Sequence, residues 1–100
     1  MRRWFICLLL LCAGAGRGLH AQPGPVYVGL DAEFGHRTST SAQAIQQGIE
    51  IAMAEINQAG GVLGGRKLSL VTTDNRSITA VGLDNLRKLA AQPDLVAVFG

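Results

Sequence analysis

Ile45-Gln46-Gln47-Gly48-Ile49-Glu50-Ile51-Ala52-Met53-Ala54-Glu55-Ile56-Asn57-Gln58-Ala59-Gly60-Gly61-Val62-Leu63-Gly64-Gly65-Arg66-Lys67-Leu68-Ser69-Leu70-Val71-Thr72-Thr73 changes its apolar period once, at the glycines, and that change decides the fold. Before the glycines, Ile45, Ile49, Ala52 and Ile56 recur at i, i+4, i+7 and i+11, and Gln43, Gln46, Gln47, Glu50 and Gln58 largely avoid that stripe. A helix turns about 100° per residue, so this spacing gathers apolar groups on one side and predicts an amphipathic helix packed on a sheet. Thr40 is the expected N-cap, with Gln43 completing a capping box, and Gly60 is expected to close the helix in the left-handed conformation. Gly61 to Gly65 reads as a flexible turn. Lys67 to Thr73 then alternates, with Leu68, Leu70 and Thr72 on one face and Ser69, Val71 and Thr73 on the other, the period of a strand.

Working outward, Val26-Tyr27-Val28-Gly29-Leu30 is rich in β-branched and aromatic residues and predicts a strand ahead of the helix. Asp31 to Ser39 is polar, has no period and reads as a loop, as does Asp74-Asn75-Arg76-Ser77. A second helix is expected from Thr79 to Ala91, with Leu83, Leu86, Leu89 and Ala90 on one side and Asp84 and Lys88 placed to pair at i, i+4. Pro93 stops it. Leu95-Val96-Ala97-Val98-Phe99 is a continuous apolar run, expected to be a strand buried on both faces. Strand, helix, strand, helix, strand is α/β class, a partial doubly wound (Rossmann-like) parallel sheet. Right-handed crossovers place the first strand beside the second, with the third on its other side if the winding reverses. That reversal makes a crevice at the carboxyl ends of the first and third strands, where ligands bind in such sheets.

The opening residues carry an export address. Arg2 and Arg3 form a basic start, Trp4 to Ala15 are apolar, and Leu19-His20-Ala21 puts a small residue at the expected cleavage point. The apolar run of about a dozen residues is shorter than a bilayer-spanning helix needs. The arginine pair resembles a twin-arginine signal, but the strongly apolar stretch behind it suits general secretion better. Leu9-Leu10-Leu11-Cys12 is a poor lipidation site, because the residue before the cysteine is bulky. Residues 1–21 are therefore expected to be a signal peptide, with residues 22–100 as the start of the exported domain.

Removing that segment changes the charge argument. The whole chain has a formal charge of +2, but residues 22–100 keep six Lys/Arg against seven Asp/Glu, a charge of −1. No basic stripe remains to suggest nucleic acid. Both cysteines, Cys7 and Cys12, leave with the signal, so the exported part has no disulfide framework. Its length permits one core of marginal stability, and an incomplete domain is the simpler reading.

Catalytic patterns are not found. Gly60-Gly61-Val62-Leu63-Gly64-Gly65 follows a helix and precedes a strand, the reverse of the order that aims a helix N-terminus at phosphate. Outside the signal there is one histidine, His36, and the chain has no Gly-x-Ser-x-Gly elbow and no metal-ligating His or Cys pair. Asp31 and Glu33, two apart, have the spacing to hold a metal or a cationic group, but the expected reading is a solvated acidic loop. Asn75-Arg76-Ser77 matches a glycosylation sequon, a pattern frequent by chance. Thr38, Ser39, Thr40 and Ser41 stand at the start of the first helix, where backbone donors favour an anion. Capping accounts for one of them, and the remainder are candidates for ligand contact.

The run from Ile45 to Val71, continued by Asp74 and closed by Leu95-Val96-Ala97-Val98-Phe99-Gly100, resembles the start of the type I periplasmic solute-binding proteins, among them the leucine/isoleucine/valine-binding proteins of ABC transporters. The helix followed by Ile-Asn-x-x-Gly-Gly-Val-x-Gly-Gly-Arg is the most specific part. The resemblance implies the first part of lobe 1 of a two-lobed α/β clamshell that closes on a small polar solute such as an amino acid. It implies a periplasmic protein, not an enzyme, that works as a monomer without cofactor or metal and delivers its solute to an ABC permease in the inner membrane. Where family members show a Pro-Leu-Thr-Gly-like turn after the first strand, this chain has Asp31-Ala32-Glu33-Phe34-Gly35-His36, so the ligand's identity does not carry over. That loop resembles one that lines the cleft, which nominates Phe34 to pack on a ligand side chain and Glu33, His36 and Ser39 for polar rim contacts. The same fold serves as the ligand-reading ectodomain of signalling receptors, which is the alternative function. A Rossmann-like enzyme is a third class, to be supported by a glycine-phosphate motif or catalytic acid further on.

Overall fold

Among the described residues, three strands and two helices alternate: β1 (Val26–Ala32), α1 (Thr40–Gln58), β2 (Leu68–Asp74), α2 (Thr79–Ala90) and β3 (Leu95–Phe99). The computed structural model describes residues 24–100, and the expected signal peptide lies outside them. The strands form one sheet in the order β2-β1-β3. Both pairings of β1 are parallel, with Val28 opposite Leu70 on one side and Ala97 on the other. The first crossover moves to one side of β1 and the second returns across it. The winding therefore reverses between β1 and β3, as expected for a doubly wound sheet.

Alternation along β1 divides the core between the two faces. Val26, Val28 and Leu30 are buried and face α1, whereas Gly29 and Asp31 face α2. A methyl at Gly29 would stand 3.2 Å from both Leu89 methyl carbons, so the missing side chain lets α2 lie close on the central strand. β1 runs two residues further than expected because its register with β2 continues through Asp31↔Thr73 and Ala32↔Asp74. Asp31 thereby leaves the expected loop and enters the sheet.

Helix ends differ from expectation at one terminus and agree at the other. The N-cap of α1 is Ser39, not Thr40, and no side chain caps it. Thr40 is the first helical residue, so the expected capping box of Thr40 with Gln43 does not form, and the Ser39 hydroxyl donates to the Glu33 carbonyl at 2.7 Å. At the C-terminus, Gly60 N–H donates to Asn57 C=O at 3.3 Å and Gly61 N–H to Ile56 C=O at 2.9 Å, the paired bonds of a Schellman motif. Gly60 and Gly61 have φ of +115° and +80°. A Cβ on Gly61 would also collide with the Arg66 carbonyl. The turn behind them is ordered by a two-way backbone bridge between Val62 and Arg66 at 2.8 Å, so it is not the flexible link expected. Asn57 finishes the connection: its amide donates to Leu68 C=O at 3.0 Å and accepts from Leu68 N–H at 2.8 Å, pinning the end of α1 to the first residue of β2.

β3 overturns one expectation. Its residues were to be buried on both faces, yet Val96, Val98 and Phe99 are 56%, 37% and 50% exposed. The strand lies at the edge of the sheet, paired with β1 alone. On the α1 side, an apolar cavity of about 280 Å³ runs between Ile49, Met53 and Ile56 and the strand residues Val28 and Phe99. On the α2 side, a cavity of about 420 Å³ lies between Leu83, Leu86 and Val98. The expected apolar stripes are thus in place, but Ile45, Ile56, Leu83 and Leu86 remain 39–52% exposed. Among the described residues, no helix is long and apolar enough to cross a membrane.

Candidate functional site

Two loops leave the carboxyl ends of neighbouring strands, residues 33–39 after β1 and 75–78 after β2, and hydrogen bonds join them. The acceptors are Asp74, at the end of β2, and Glu33, in the first loop. Asp74 Oδ1 accepts from the Phe34 N–H at 3.1 Å and from the Arg76 N–H at 3.0 Å. Glu33 Oε2 accepts from the Ser77 hydroxyl at 2.8 Å, while Glu33 Oε1 lies 3.2 Å from His36 Nε2. Amide donation to an ionised carboxylate favours the charged form. The Phe34 N–H, followed by that of Arg76 and the nearby positive charges, accordingly holds the Asp74 carboxyl below its ordinary value.

All four nominated residues fall in the first of these loops. Glu33 is its organiser, contacting His36, Ser77 and, through its carbonyl, Ser39. Phe34 is half-buried and tied by its backbone, whereas the His36 side chain is 74% exposed. Ser39 spends its donor on the loop but keeps its oxygen lone pairs. Thr38, Thr40 and Ser41 are exposed at the start of α1.

Beneath the loops lies a polar centre that the sequence reading missed. Asp31 is only 9% exposed, so for this residue the expected solvated acidic loop is wrong. Its Oδ1 accepts from Thr73 Oγ1 at 2.8 Å and Asn85 Nδ2 at 2.9 Å, and its Oδ2 accepts from Asn75 Nδ2 at 3.2 Å. Asn85 is itself buried in α2 and donates also to the Asp74 carbonyl at 2.9 Å. Four neutral donations and no ion pair hold this centre among the described residues, which suits a group that fixes elements in place. A signal for it was present: Gly82, Asn85 and Leu89 are spaced i, i+3, i+7, a second stripe on α2 that a search for apolar residues alone passes over.

Asn75 serves the same centre. Its Oδ1 accepts from Ser77 N–H at 2.9 Å and its carbonyl from Ile78 N–H at 2.9 Å. Arg76 and Ser77 both have positive φ, +54° and +57°, a conformation that L-residues adopt at some cost. The Asp74 and Asn75 side chains supply the local bonds that sustain it. Here the sequon asparagine is a turn former. Among the described residues, no group of three or more His, Cys, Asp or Glu is placed to hold a metal ion.

No family model matches the chain, and no curated protein or solved structure matches it. The two loops offer a half-buried aromatic ring, an acid, an imidazole and hydroxyls, a set suited to holding a small polar molecule.

Proposed function

We propose that the exported chain is the N-terminal part of the substrate-binding component of an ABC transporter, taking an amino acid of the branched-chain type or a related small solute and passing it to a permease in the inner membrane. The observation that carries this reading is the strand order β2-β1-β3 with parallel pairing, which sets the reversal of winding, and the loop bearing Glu33, Phe34, His36 and Ser39, at the carboxyl end of β1. The uncovered apolar surfaces on both sides of β3 support a continuing lobe, because apolar faces of this kind are normally buried by further elements. The matching Ile-Asn-x-x-Gly-Gly-Val-x-Gly-Gly-Arg run supports the family.

Binding raises the melting temperature of a folded protein in proportion to the logarithm of ligand excess. Thermal unfolding of the exported protein, with its natural continuation, should shift upward with leucine, isoleucine, valine or a related amino acid. A flat response across a broad panel of amino acids and other small polar solutes removes the transport reading.

A further inference from the structure

We propose that Asp74 is a positioning residue for ligand binding: by accepting the Phe34 N–H it sets where the Phe34 ring and the Glu33 and His36 side chains stand, although it lies at the end of β2 and outside their loop. The inference rests on the solute-binding reading above and extends it to a residue outside the loop nominated for contact.

Three observations carry it. Phe34 is separated from Asp74 by 40 positions, so the hydrogen bond its N–H donates to Oδ1 is a tertiary restraint on a loop without helix or strand bonds of its own at that point. The same oxygen takes the Arg76 N–H, which makes Asp74 the common anchor of both loops. Gly35, the next residue, leaves room for the carboxylate: a methyl there would stand 3.3 Å from Asp74 Oδ2, tighter than ordinary contact. The base of the anchor is also fixed, because the Asp74 carbonyl accepts from buried Asn85. Placed in this way, Asp74 transmits the rigid geometry of β2 and α2 to a loop that would otherwise sample many conformations, and preorganisation of that kind lowers the ordering cost of binding.

The experiment compares Asp74→Ala and Asp74→Asn in the exported protein, reading amide hydrogen exchange at Phe34 and affinity for leucine, isoleucine and valine. Alanine removes the acceptor, whereas asparagine keeps a carbonyl oxygen where Oδ1 stands. Exchange at Phe34 should quicken on the order of tenfold in Asp74→Ala and return close to the parent rate in Asp74→Asn, with core amides in β1 unaltered. Affinity should fall on the order of tenfold in the alanine variant and recover in the asparagine variant. Unchanged Phe34 exchange in Asp74→Ala overturns the anchor, and unchanged affinity with freed exchange overturns its service to binding. If Asp74→Ala does not fold, Gly35→Ala crowds the same carboxylate from the other loop. It should shift the Phe34 amide resonance and weaken binding, and silence in both refutes the proposal. Failure of the parent protein to bind any solute tested overturns the transport reading instead, while the exchange result still decides the anchor.

Discussion

Replacing Asn85 with alanine removes one side-chain amide and tests whether the buried polar centre holds α2 to the sheet. In the parent both amide hydrogens are used, one on Asp31 Oδ1 and one on the Asp74 carbonyl, each at 2.9 Å. Asp31 would retain Thr73 and Asn75, but the Oδ1 lone pair and the carbonyl would face a site 8% exposed in the parent. A hydrogen bond to a charged group contributes about 1.5–3 kcal/mol and a neutral one about 1 kcal/mol, so a loss of about 3 kcal/mol is expected. Small domains have only about 5–15 kcal/mol in total, and the loss should move the urea midpoint well beyond error. Urea unfolding of Asn85→Ala, Asp31→Ala and the double variant makes a cycle whose coupling should exceed about 1 kcal/mol, because the two side chains share a bond. A cost below about 0.5 kcal/mol for Asn85→Ala, or strict additivity in the cycle, would refute the reasoning. Asn85→Asp adds a like charge at the same place. It should be the worst variant at neutral pH.

Other consequences separate strain, packing and charge. Gly61→Ala should destabilise by more than Gly64→Ala in urea unfolding: both positions have φ near +80°, but only the first meets the Arg66 carbonyl, and equal costs would show that the collision relaxes. Leu30→Ala, at a site 1% exposed, should cost about 2–5 kcal/mol, whereas Val96→Lys, at a site 56% exposed, should stay within about 0.5 kcal/mol in the isolated chain, a contrast read from the two midpoints. Because the Phe34 and Arg76 amides lower the folded carboxyl of Asp74 below its ordinary 3.8, the stability it contributes is present above that value and is lost as pH falls through the lower folded one. The Phe34 amide resonance should report that loss in acid, and Asp74→Asn should abolish the titration.

Local signals were sufficient for the elements. The period of Ile45, Ile49, Ala52 and Ile56 and the alternation of Leu68, Leu70 and Thr72 placed α1 and β2 within a residue or so, since a helix and a strand turn side chains at different rates. The ends were less legible. Ser39 and not Thr40 stands at the cap position of α1, and its hydroxyl bonds the Glu33 carbonyl, a contact set by the fold of the loop. Asp31 read as loop because a carboxylate argues against burial. The strand continues through it only because Thr73, Asn75 and Asn85, 42 to 54 positions away, solvate it with protein donors.

From the sequence by itself came the alternation of strand and helix, the parallel α/β class and the loop carrying Glu33, Phe34, His36 and Ser39, because each depends on side chains within a few positions of one another. Only the tertiary structure decided that this loop is tied to residues 74–77, that a buried carboxylate supports them both, and that β3 stands at an open edge with its apolar residues in view. Those facts depend on which strands become neighbours, and hydrogen bonds between partners forty or more positions apart leave no periodic trace along the chain.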